Sequence, residues 1–164
     1  VFGRIGMDSL SNQNEERHPG QWSRQQWLGL LAQSGSDELL SHWQQLDLDP
    51  GHRVLREAEI GSVMVRGRIG GEGDAFNLGE MTVTRCSVAL DDGTVGHGYI
   101  QGRSRKAAMV VALADALLQT DQKPKLAEGL LLPLHEIRQA RELELQAKAA
   151  ATKVDFFTLV RGED

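Results

Sequence analysis

Five arginines fall where the chain could hold an anion. Arg66 and Arg68 lie two apart in an alternating stretch, so they share one face of a strand. Arg85 stands mid-strand among small and apolar residues. Arg103 and Arg105 sit at the start of a helix, where free backbone N–H groups also favour negative charge. Arg68, Arg85 and Arg103 would make a phosphate-binding patch if the fold brought them together. Ion pairs to Glu57, Glu59, Glu80 and Asp92 would account for the same charges without a ligand. The sequence favours this plainer account, because no spacing places three guanidinium groups around one phosphate.

The other reactive residue types give weaker signals. Glu57 and Glu59 would lie roughly 6.5 Å apart on one strand face, a spacing open to acid–base work but typical of a solvated face. Gly70-Gly71-Glu72-Gly73 lacks the Gly-Lys-Ser/Thr ending of a phosphate loop and leads into no helix, so it reads as a strand turn. His18, His42, His52, His97 and His135 show no metal-site spacing. His97 lies between Gly96 and Gly98, where a ligand or another backbone could approach closely. Cys86 has no histidine nearby in sequence to make a thiolate and reads as a buried thiol. No catalytic set, metal or cofactor is expected from these residues.

The elements that must position them divide by hydrophobic period. Residues 1–22 read as a disordered tail, too polar to order itself, and 23–164 as a single domain. Ser23 caps a helix over 24–34, with Gln26 at the capping-box position; Asp37 or Ser36 caps a second, to about Leu46, giving a helical hairpin. Val54–Ala58, Gly61–Ile69, Leu78–Leu90 and Val95–Gln101 then alternate as strands, with Asp91-Asp92-Gly93-Thr94 a hairpin turn. Their short connections demand an antiparallel meander. Ser104 caps a helix to about Thr120 that is apolar all round and hence buried. Lys125–Leu132 reads as a short helix or turn ending at Pro133. A long last helix, about 134–152, carries a narrow seam of Ile137, Ala140, Leu143, Ala147, Ala150 and Val154, suited to one partner helix. The fold class is α+β.

The chain ends on an apolar segment, where polar residues are usual. Val154, Phe156, Phe157, Leu159 and Val160 either close the domain or dock on another chain. All three tryptophans, Trp22, Trp27 and Trp43, lie near the other end, so both ends read as attachment regions. Self-association in isolation is expected. A net charge of −5 argues against broad nucleic-acid binding. No apolar run approaches the ~20 residues of a membrane span, and Val1–Gly20 has no secretory pattern. One cysteine suits a reducing cytoplasm.

Four blocks together resemble a known family. They are Gly67–Gly73 ending at Phe76; Leu78–Arg85 with Val88–Gly96; Gly102-Arg103 with Ala112–Leu117; and Val154–Gly162. In this order and spacing they resemble PhnG, a subunit of the bacterial carbon–phosphorus lyase system, over about Arg24 to Glu163. The resemblance implies a cytoplasmic core complex with PhnH, PhnI and PhnJ. It implies an accessory role in forming α-D-ribose 1-methylphosphonate 5-triphosphate from ATP and methylphosphonate, with PhnI associated with displacement of adenine. It carries over no catalytic residue. Cys86 and Ser104–Val111 are variable relative to the family pattern, which weakens any role for the thiol or for Arg105. The rival reading is a stand-alone phosphate-ester or nucleotide-binding domain built on the arginines.

Overall fold

The computed structural model describes residues 18–68 and 73–151. After a 3-10 turn at Pro19–Gln21 come α1 (Arg24–Gln33) and α2 (Ser36–Gln45). Three strands follow, β1 (His52–Arg68), β2 (Ala75–Leu90) and β3 (Val95–Gln101). Then come α3 (Arg105–Leu117), α4 (Lys123–Leu126), a π-helical turn (Ala127–Leu131) and α5 (Leu132–Ala151). This is the α+β arrangement read from the sequence.

The sheet is antiparallel in the order β1-β2-β3. Its tight turn follows from Asp92-Gly93: Gly93 takes φ +88°, and the Asp92 carboxylate accepts the Thr94 N–H at 2.8 Å. That bond holds the Asp92 carboxyl below its usual range. β3 pairs with β2 only from Ala89↔Val95 to Val83↔Gln101. Beyond it, β1 and β2 continue as a two-stranded arm to Arg68↔Ala75.

One face of the sheet carries α3. Thr84, Cys86 and Val88 of β2 and Gly96, Gly98 and Ile100 of β3 lie on this side, cross-strand from one another, and are buried. Positions Ala107, Ala108 and Val110–Leu117 of α3 are buried as well. Leu30, Leu31 and Leu39 from the helical hairpin and Leu126, Leu130 and Leu131 complete the core. Each such side chain contributes about 1.5–3 kcal/mol by leaving water.

Several expectations change. The expected strands Val54–Ala58 and Gly61–Ile69 are, over the described residues to Arg68, one strand and not two, because register shifts between Val54 and Glu59 absorb the break in alternation. The second helix takes Gly35 as its N-cap, one residue before the expected Ser36 or Asp37. Pro133 does not end a helix. It sits at the second position of α5, directly after the π-helical turn, and the helical run continues through it. The tryptophans near the start belong to the chain's own core: Trp22 and Trp27 are each 5% exposed. Trp22 meets His135 edge-on, and the Lys123 ammonium lies 4.9 Å over the Trp27 ring. The expected tail therefore reaches into the packed body at Trp22. Among the described residues, the seam of α5 meets a partner only at its start. Arg141 pairs with Glu38 of α2, but positions 140–151 are all exposed.

Candidate functional site

The face of the sheet opposite α3 carries two neighbouring cross-strand rows. One is Glu59–Arg85–Tyr99, the other Arg56–Ser87–His97. Directly opposed side chains in such rows lie ~5 Å apart. Arg56 is bound to Glu59 at 2.7 Å, and Ser87 Oγ lies 2.9 Å from His97 Nδ1. Arg85, with Glu59 already engaged, is exposed and has no hydrogen-bond or ion-pair partner among the described residues. A free guanidinium beside a phenol, a hydroxyl and an imidazole is suited to an anionic or polar surface.

A Ser–His contact invites a nucleophile reading, which the geometry does not extend. Asp115 of α3 accepts the main-chain N–H of His97 at 2.8 Å, not its ring. It therefore cannot orient the imidazole as a triad acid does. Among the described residues no group of three or more histidine, cysteine, aspartate or glutamate side chains could hold a metal ion.

Asp115 is the group that sequence reasoning missed. It is fully buried and collects Arg24 Nε at 3.1 Å and Nη2 at 2.7 Å, Trp27 Nε1 at 3.0 Å and the His97 N–H. The hydrogen bond to Asp115 raises the Arg24 pKa above its ordinary value, against the lowering effect of burial. Val95 C=O takes hydrogen bonds from Arg24 and Gln119. These side chains cover the outer edge of β3 at Val95 and His97. The signal was present in the sequence: Asp115 is a lone carboxylate within an otherwise apolar helix, and such a charge needs partners.

The three arginines do not converge. Arg68 ends β1, far from Glu59, the cross-strand neighbour of Arg85; at ~3.3 Å per residue the separation is roughly 30 Å. Its Nη1 donates to the Gly73 carbonyl. Arg103 is exposed and lies at most ~14 Å along the chain from Tyr99. The expected ion pairs to Glu57, Glu59, Glu80 and Asp92 are not formed by Arg66, Arg68, Arg85, Arg103 or Arg105 among the described residues. Val154, Phe156, Phe157, Leu159 and Val160 lie outside the described residues.

Cys86 is on the α3 side, 2% exposed, and burial pushes its thiol up. A raised thiol pKa means the neutral form is favoured in the folded state. That contribution is present below the ordinary thiol pKa and lost as pH rises through the raised value. Iodoacetamide at pH 8 is therefore expected to label Cys86 at least tenfold more slowly in native protein than in guanidinium, followed by mass spectrometry.

A buried carboxylate hub fixing one face, with a polar and partly unpartnered face opposite, defines a scaffold presenting surfaces. The chain belongs to the PhnG family of phosphonate metabolism proteins, whose model matches residues 22–162. It is 43% identical over 141 residues to the α-D-ribose 1-methylphosphonate 5-triphosphate synthase subunit PhnG of Rhizobium meliloti (strain 1021). That match covers 86% of this chain and 90% of the relative.

Proposed function

We propose that this chain is an accessory subunit of an α-D-ribose 1-methylphosphonate 5-triphosphate synthase. In this reading it helps form that product from ATP and methylphosphonate by binding PhnI-, PhnH- and PhnJ-like subunits in the cytoplasm. The observation that carries the reading is the apolar surface left bare on two projections. Leu143 and Leu145 on the free turns of α5 are 67% and 65% exposed, and Leu78 on the arm is 61% exposed. Large apolar side chains concentrated on protruding elements mark interaction surfaces. A two-stranded ribbon is also marginal by itself and gains stability from a neighbour.

Within such an assembly, Arg85 and Arg103 would offer a contact to the triphosphate or to a partner carboxylate, while Arg68 would serve a separate region. The test uses purified chain with ATP and methylphosphonate, alone and with the other subunits. No product is expected alone, and product with them; turnover by the chain alone would overturn the accessory role and favour a stand-alone site. Arg85→Met should change stability by less than about 0.5 kcal/mol, since no partner is lost. It should leave assembly intact and weaken triphosphate binding by the complex severalfold. Unchanged affinity would remove the anion role from Arg85.

A further inference from the structure

The two edges of the sheet differ. On β3 the outward His97 N–H is taken by Asp115, and the Val95 C=O by Arg24 and Gln119. No described residue takes the backbone groups of β1 on the side away from β2. β1 carries neither proline nor lysine along its length, both common protections of an exposed edge. Its register shifts lie before Glu59 and after Val65, so the run Glu59–Val65 is regular. An unpaired regular edge is a ready template for another extended chain.

We propose that β1 pairs antiparallel with β1 of a second copy of this chain, about a two-fold axis at Ser62. The run is symmetric about that residue. The pairs would be Glu59↔Val65, Ile60↔Met64, Gly61↔Val63 and Ser62↔Ser62, with no like charges opposed. Centring on Ala58 instead would set Glu57 against Glu59, which is unfavourable. Such an isologous contact keeps side-chain faces in register and joins two three-stranded sheets into one of six. Ile60 and Met64, 42% and 54% exposed, would then cover one another across the new junction. Beside Ile60 runs an open groove of about 880 Å³ floored by Leu40, Ala58 and Met109. Met64 of the second copy would lie against it. The contact leaves α5 and the Arg85 face free, so it does not depend on the subunit reading and can hold or fail separately from it.

The full chain tests this by light scattering over a dilution series, with thermal midpoints as the control for folding. Wild type is expected to double in mass at high concentration. Met64→Lys should weaken the dimer at least tenfold, with an unchanged midpoint at the dilution where wild type is monomeric. Ser62→Cys should crosslink under mild oxidation, since the one native cysteine is buried. Hydrogen exchange offers a reading free of substitution: alternate β1 amides should be protected in the dimer and fast in the monomer. The proposal is overturned by a monomer at hundreds of micromolar. It is equally overturned by a dimer that survives Met64→Lys without crosslinking through position 62, or by β1 amides already protected in a monomer.

Discussion

Asp115→Ala is expected to cost about 3–5 kcal/mol, the range for removing one member of a buried ion pair. The loss is large because one carboxylate joins three elements. Arg24 and Trp27 bring α1, and the His97 N–H brings β3, to a helix buried along nearly its whole length. Without it, the indole N–H and a main-chain N–H are left without their acceptor, while Arg24, 42% exposed at its side chain, turns to water. Asp115→Asn keeps one acceptor and should fall between wild type and alanine. Arg24→Met should also destabilise strongly, because the carboxylate stays buried without its counter-charge. The double substitution Arg24→Met with Asp115→Asn should cost less than the two singles added. Urea unfolding monitored by tryptophan fluorescence measures all four. Singles that add without coupling would show that the hub is not one network.

The elements were legible because their signals are local. Ser23 with Gln26 marks the start of α1, and the Ser23 N–H does donate to Gln26 Oε1 at 2.8 Å. Asp92-Gly93 marks the hairpin, and the apolar run after Ser104 marks the buried helix, whose Ala107 N–H is held by Ser104 Oγ. The single long β1 was not legible, since irregular register between Val54 and Glu59 looks like a strand end when only alternation is read. The arginines were misjudged in a different way. Strand membership gives the face of Arg68 and Arg85, but their separation depends on register, and partners for them depend on where Glu59 is spent. Glu59 goes to Arg56, three residues away on its own strand. Asp115 needed only one more step of reasoning: a charge inside an apolar helix is a question about its partners, and Arg24 and Trp27 offer donors three residues apart on α1.

Gly96→Ala and Gly98→Ala should each cost about 3 kcal/mol or more, and Gly96→Val should prevent folding. The Gly-His-Gly pattern could serve a ligand or another backbone at close range, and the structure shows the backbone. A methyl on Gly96 would fall onto the Ala112 carbonyl oxygen and within 2.7 Å of the Ala116 nitrogen. On Gly98 it would fall onto the Ala108 carbonyl oxygen, with Cys86 Sγ at 3.0 Å. Neither obstacle is the tip of a flexible side chain; both are main chain of α3. The helix would have to lift from β3 along its buried face, which loosens Val111, Ala112 and the Asp115 contacts together. Ordinary overpacking costs 1–3 kcal/mol, and a main-chain obstacle lies at or beyond the top of that range. Gly61→Ala is the matched control. It is also a strand glycine, but no atom lies within 4 Å of its added methyl, and no positive φ is required there. Its effect should stay within about 0.5 kcal/mol and have either sign, since alanine also restricts the unfolded chain. Thermal unfolding of the three alanine variants separates the cases. Equal loss at Gly61 and Gly96 would mean that strand propensity, not the close approach of α3, sets the requirement for glycine.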